Sequence, residues 1–405
     1  MLTPHRFAVL SRSLAASSLL LLLAALGCHH SGVPDVPAGY HEYAYISNGA
    51  SNTVTVLDLV YLRQDRTLQV GTGPSGMAVN PVRNEVYVVN TQSSTVSVID
   101  ADSNRVAFTI PVHRLPRSIA VDATGHRAYV ANSGSNTVSI LDLDRRREVG
   151  VVGTGERPGI VRVAPDGRTL VVTNGMSGSV SIFDIAPPEP QPARPLHLRA
   201  AFSNCAGATD AAILPDSSKV FIACSDGHQV MVVGLAAAPD SWAAKQNASL
   251  TADRMLTLLD VGTTPIHLAM KPDGGEIFVS NFDSDSISEI STSMNEVGTT
   301  FAIGSKPAYG IVSGDNSTLW VSNFGADSIS LYSIDDGRLV GNVHTGSAPE
   351  ILAFSADEHL LLATDAHSGD VAVVRTRGDA GPALFTILPA GRSPNAIVVK
   401  AIERK

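Results

Sequence analysis

Asp210, His267 and Tyr309 are the residues whose types and spacing best suit joint chemistry. A carboxylate, an imidazole and a phenol together can move a proton or orient a polar ligand. Each stands two residues after the residue that opens an apolar segment: Ala208, Pro265 and Pro307. The matching residues elsewhere are Gly76, Ser118, Ile160, Ile351 and Ala396, which carry no acid–base group. The other reading of the three is that polar side chains simply face water.

Other chemistry is thinly represented. His113, His228, His344 and His367 are scattered, and none has a second ligand at helical or hairpin spacing, so no metal is expected. There is no phosphate-cradling glycine loop, no Gly-x-Ser-x-Gly elbow and no Cys-x-x-Cys-His haem site, and no cofactor is expected. Cys205 and Cys224 lie at the start of one expected strand and the end of its antiparallel neighbour. That placement suits a disulfide in an oxidising compartment, with two free buried thiols as the alternative.

These residues sit in a repeat. Tyr87-Val88-Val89-Asn90 and Tyr129-Val130-Ala131-Asn132 each end a strand, turn through small polar residues and enter a second strand that alternates polar and apolar. Asn48, Asn174, Asn281 and Asn323 end further copies, and segments 221–224 and 361–364 are degenerate ones ending in Cys224 and Thr364. The period is about 42 residues, in the range of propeller blades. A looser third strand follows, and Gly/Pro punctuation then leads into an apolar fourth. Four short strands per unit, here named A (after the proline), B (ending in Asn), C and D, describe a β-propeller blade. The count gives eight blades, or seven if the weak copy at 219–224 is not a blade. The chain begins at a B strand and ends with an extra A strand at 395–399, so the two ends are expected to complete one blade and close the ring. Two insertions, 186–195 and 236–253, fall between C and D strands as loops. The repeated Asn is expected to cap the B–C turn through backbone N–H groups.

The strand ends resemble the YVTN-type β-propeller repeat family over residues 43 to 400. The WD-repeat pattern is absent, since neither Trp242 nor Trp320 precedes an Asp. The resemblance implies an all-β propeller of the kind found in envelope and surface-layer proteins. Related propellers include sugar-lactone hydrolases and quinone-dependent dehydrogenase subunits. On that fold strand A lines the axis, which would put Asp210, His267 and Tyr309 near the channel mouth on the face of the D–A and B–C loops.

The N-terminus reads as a targeting segment. His5, Arg6 and Arg12 precede an apolar run at 14–26, and Ala24-Ala25-Leu26-Gly27-Cys28 resembles a bacterial lipobox, with Ala25 where Leu is usual. The expected organisation is a signal peptide at 1–27, a tether at 28–42 that begins at a lipidated Cys28, one propeller at 43–400 and a tail at 401–405. A net charge of −9 with no dense basic run argues against a nucleic-acid partner. The leading expectation is a scaffold lipid-anchored in the bacterial cell envelope, periplasmic or surface-facing, that presents its loop faces to a protein or small-molecule partner. The alternative is an enzyme at the channel mouth, such as a sugar-lactone hydrolase or a quinone-dependent dehydrogenase.

Overall fold

The computed structural model describes residues 37, 39–186, 195–238, 241, 245, 247–378 and 381–403. The expected signal peptide and Cys28 lie outside the described residues, as do most of the expected tether, 187–194 of the first insertion, parts of the second and the last two residues of the tail. Among the described residues no helix is long and apolar enough to cross a membrane.

Alternation along the B strands explains the architecture. Val86 and Val88 point to one side and pack with Tyr45, Val54 and Val56. Tyr87 and Val89 point to the other and pack with Ile119 and Val130. Both faces are therefore apolar, and each sheet needs a neighbour on either side. Eight sheets of four antiparallel strands satisfy this as a ring, an eight-bladed β-propeller. B and C strands are almost wholly buried, whereas D strands such as Arg63–Gln69 and Ala383–Pro389 are mostly exposed at the rim. The degenerate copy is a true blade: Lys219–Cys224 pairs with Ala208–Ile213 and Gln229–Gly234. Both insertions connect C to D strands, Ser179–Ile185 to Leu196–Phe202 and Gln229–Gly234 to Arg254–Asp260.

The ring closes as the chain ends suggested. Strand A of blade 1 is Pro394–Glu403, and it lies beside Tyr40–Asn48, strand B of the same blade. Ser47 Oγ donates to Asn395 Oδ1 at 2.7 Å, and the Gly391 N–H donates to Asn48 Oδ1 at 2.9 Å. Blade 1 thereby gains the same four strands as the other seven, with its A strand supplied from the far end of the chain.

The repeated asparagine does a different job from the turn capping expected of it. Its Nδ2 donates to two hydroxyls of the following C strand: Thr95 and Ser97 from Asn90, at 3.0 and 2.9 Å, and Ser286 and Ser288 from Asn281, at 3.2 and 3.0 Å. These asparagines are fully buried, so a side-chain clamp between B and C replaces contact with the exposed turn. The turn itself is made by a positive φ at the residue before strand C, for example Asn52, Ser94 and Asp327.

In blade 8 the position belongs to Asp365, not to Thr364. Asp365 pairs with Asp370 as Asn90 pairs with Thr95, and this restores the regular step. Two carboxyls thus occupy the place of an amide and a hydroxyl. Burial, and then the hydrogen bond and charge of Asp370, push the Asp365 carboxyl well above its ordinary value of 3.8. A raised carboxyl favours the folded state fully below 3.8 and loses that contribution as pH rises through the raised value. Asp365→Asn, which restores the repeat's own residue, is expected to stabilise the protein by about 1–2 kcal/mol near pH 8 and much less near pH 4. Thermal midpoints at the two pH values check this. An equal effect at both would contradict the shared proton.

Candidate functional site at the channel mouth

The A strands of blades 2 to 8 are bulged at their start, and the bulge affects what faces the channel. Pro116 pairs with Asn132 and Ser118 with Ala131, which leaves Arg117 without a cross-strand partner. Pro349 pairs with Asp365 and Leu352 with Ala363, so Glu350 and Ile351 together oppose one residue. Such a bulge breaks the strict alternation of side chains. The first residue after the proline then lines the mouth: Ser75, Arg117, Gly159, Thr209, Glu350 and Asn395 surround a cavity of about 710 Å³.

Four charged residues line this cavity, Arg117, Arg157, Asp226 and Glu350, and the chemistry considered below rests on the two arginines and Glu350. Arg117 leaves from the bulge of blade 3, and Arg157 from the D–A turn of blade 4. Arg157 has φ +55°, and its N–H donates to Asn136 Oδ1 at 2.9 Å, which pins its backbone. Among the described residues neither guanidinium has a hydrogen-bond or ion-pair partner. The Glu350 carboxyl likewise accepts no hydrogen bond and forms no ion pair there. Burial raises its pKa above the ordinary 4.5, with His367 pulling the other way. A half-buried carboxyl with a raised pKa that lines the same cavity as two unpaired cations is a candidate for general acid–base chemistry.

Asp210, His267 and Tyr309 do come together, but deeper than the mouth. They line a second cavity of about 360 Å³ that follows the A strands to Pro165 in an A–B turn. Arg162 joins them from blade 4: its Nη2 donates to Asp210 Oδ1 at 3.2 Å. His267 Nδ1 lies 2.9 Å from Asp210 Oδ2, and the Leu268 N–H donates to the same oxygen at 3.1 Å. His267 Nε2 lies 3.0 Å from the Gly310 carbonyl oxygen, and its ring stacks on Tyr309 with centroids 3.7 Å apart. The Asp210 carboxyl is buried, which by itself raises its pKa. His267 and then Arg162 outweigh this and lower it from 3.8 to about 2. Burial raises the Tyr309 phenol. With both imidazole nitrogens engaged and the carboxylate saturated, the trio and Arg162 join blades 4 to 7 rather than offering a free base.

The sequence reading named the neighbouring position, whose side chains line the deeper cavity together. Arg117, Arg157 and Glu350 were missed because they sit at or before the first residue after the proline, where an unbroken strand would turn the side chain away from the channel. The available signal was the contrast at that position: Arg117 and Glu350 are its only charged residues in eight blades. Cys205 and Cys224 form a disulfide, with Cα atoms 4.8 Å apart. Among the described residues no group of three or more His, Cys, Asp or Glu side chains is arranged to hold a metal ion.

Comparison with known proteins agrees with a β-propeller, although the matching family is described as seven-bladed and this ring has eight blades. The family described as Lactonase, 7-bladed beta-propeller matches residues 291–389, about a quarter of the chain. Nothing among the curated proteins matches. Among solved structures, the dihydro-heme d1 dehydrogenase NirN is 16% identical, with a TM-score of 0.69 over 88% of this chain and 74% of that one. A candidate 6-phosphogluconolactonase of Bacteroides fragilis is 15% identical, with a TM-score of 0.59 over 91% and 99%. One from Bacteroides uniformis is 16% identical, with a TM-score of 0.59 over 89% and 99%. Likeness at this level of identity bears on the fold, and the fold it indicates is the β-propeller.

Proposed function

We propose that the channel mouth is the active site of a hydrolase that opens a lactone carrying an anionic group. The observation that carries this reading is Glu350: an unpaired carboxyl with a raised pKa that shares a cavity with two unpaired arginines. Glu350 also falls inside the segment that matches the lactonase family, which favours the enzyme alternative over a scaffold and the lactone branch over the quinone-dependent one.

The residues divide the work as follows. Arg117 and Arg157 hold the substrate's carboxylate or phosphate, since a guanidinium gives charge-assisted, geometrically specific bonds to either. Glu350, deprotonated, takes a proton from water. The water oxygen forms a bond to the lactone carbonyl carbon, the ring C–O bond breaks, and the leaving ring oxygen collects the proton from Glu350 as an alcohol. The new carboxylic acid then ionises, so each turnover releases a proton to solvent.

The test is proton release from carboxylated and phosphorylated lactones with the mature chain. Hydrolysis above the buffer rate supports the reading, and none across both classes sinks it. Arg117→Ala and Arg157→Ala are each expected to raise KM about tenfold or more, the loss of one charge-assisted bond, with a smaller change in kcat. An unchanged KM for both would remove the arginines from the site.

We propose in addition that Cys28 is lipidated and that the protein is held at the cell envelope, on the strength of residues 14–28. Labelled palmitate should enter the wild-type protein and not Cys28→Ser. Equal labelling of the two would refute the anchor.

A further inference from the structure

The channel entrance has two chemically different halves. The first residue after strand B occupies the same place in every blade, where its N–H donates to the carbonyl of the residue before strand A. Gly175 does this to Arg157 at 3.1 Å and Ser225 to Gly207 at 3.1 Å, and both line the mouth. Phe282 does the same to Thr264 and Phe324 to Lys306, each at 3.0 Å. The remaining blades carry Gly49, Thr91, Ser133 and Ala366 here, so aromatic rings occur only in blades 6 and 7. The first residue after the proline changes in the same two blades, to Ile266 and Ala308. The polar arc thus runs through Ser75, Arg117 and Thr209 of the cavity lining, and the more apolar arc of blades 6 and 7 lies beside that lining at the same end of the channel.

The two rings touch across adjacent blades but lie outside the packed core between them. Both are half-buried and belong to none of the hydrophobic clusters between blades. Their centroids lie 6.0 Å apart, the Lys306 ammonium sits 4.9 Å over Phe282, and His367 meets Phe324 edge-on at 5.2 Å. His367 is also the group whose charge acts on Glu350. Adjacent aromatic side chains left partly in water at the rim of a cleft are a binding surface for a flat or apolar group.

We propose that the substrate is amphipathic, with its anionic end on Arg117 and Arg157 and an aromatic or extended apolar group against Phe282 and Phe324. This places the reacting carbonyl between the halves, on the side of blade 8 that carries Glu350. The inference rests on the mouth being a small-molecule site, and it names the substrate class for that site.

The test uses binding, not turnover. Alkanoates, ω-phenylalkanoates and ω-phenylalkanols of increasing length are titrated calorimetrically into the mature chain. At the best length the phenylalkanoate is expected to bind about tenfold or more tighter than either partial analogue. Phe282→Ala/Phe324→Ala should erase the advantage over the alkanoate, and Arg117→Ala/Arg157→Ala the advantage over the alkanol. Phe282→Leu/Phe324→Leu keeps apolar area without the rings and should recover part of the first. Thermal midpoints near wild type would confirm that the variants fold. Equal binding of phenylalkanoate and alkanoate, or equal weakening of both by the double alanine variant, overturns the proposal. A protein that shows this binding pattern but opens no lactone contradicts the hydrolase reading alone. One that opens small aliphatic lactones with no aromatic preference contradicts this inference alone.

Discussion

Glu350→Gln is expected to lower lactone opening by about 10²–10⁴-fold in kcat, the usual contribution of a positioned general base. Glutamine keeps the shape and polarity of the side chain but takes no proton. KM should change little, because the arginines and not Glu350 hold the substrate. The fold should tolerate the change, since this carboxyl makes no ion pair or hydrogen bond among the described residues whose loss would open the blade. Steady-state kinetics beside a thermal midpoint separate the two effects. A drop of less than about threefold in kcat would take Glu350 out of the chemistry.

Asp210→Ala carries the largest expected stability effect. It removes the carboxylate that Arg162, His267 and the Leu268 N–H all address, and it leaves a half-buried imidazole facing a single acceptor. Breaking a buried pair from one side costs about 3–5 kcal/mol. The same carboxylate should set part of the acid sensitivity. Its folded pKa is depressed from 3.8 to about 2, so its contribution is present above 3.8 and is lost as pH falls through about 2. That gap corresponds to about 2 kcal/mol. Urea unfolding midpoints at neutral pH and between pH 4 and pH 2 measure both. In Asp210→Ala the neutral-pH midpoint should fall sharply and the acid slope should flatten. A near-wild-type midpoint would show that blades 4 to 7 are held without this cluster.

The sequence announced the architecture because a propeller repeats its local rules. Tyr87-Val88-Val89-Asn90 and its copies needed apolar residues on both faces, and only stacked blades bury both. The ends were readable because a B strand without its A at one end matched an A without its B at the other. What escaped depended on register. A one-residue bulge after the proline affects whether Glu350 or Ile351 faces the channel, and composition carries no mark of it. The blade 8 clamp was placed at Thr364 because an Asp in an Asn position looks like a break in the pattern. It became visible as Asp365 only when its partner Asp370 was fixed across the turn. The asparagine's partners were misjudged for a related reason: the Ser and Thr of strand C read as ordinary alternation until strand pairing placed them within reach.

The most direct test of the account is the pH dependence of kcat/KM for lactone opening by the wild-type protein and by Glu350→Gln. A general base must be deprotonated, so activity should rise with pH along a limb set by a carboxyl above the ordinary 4.5, and that limb should vanish in the variant. A wild-type rate that shows no such limb, or a limb that survives Glu350→Gln unchanged, would contradict the assignment of the channel mouth as the catalytic site.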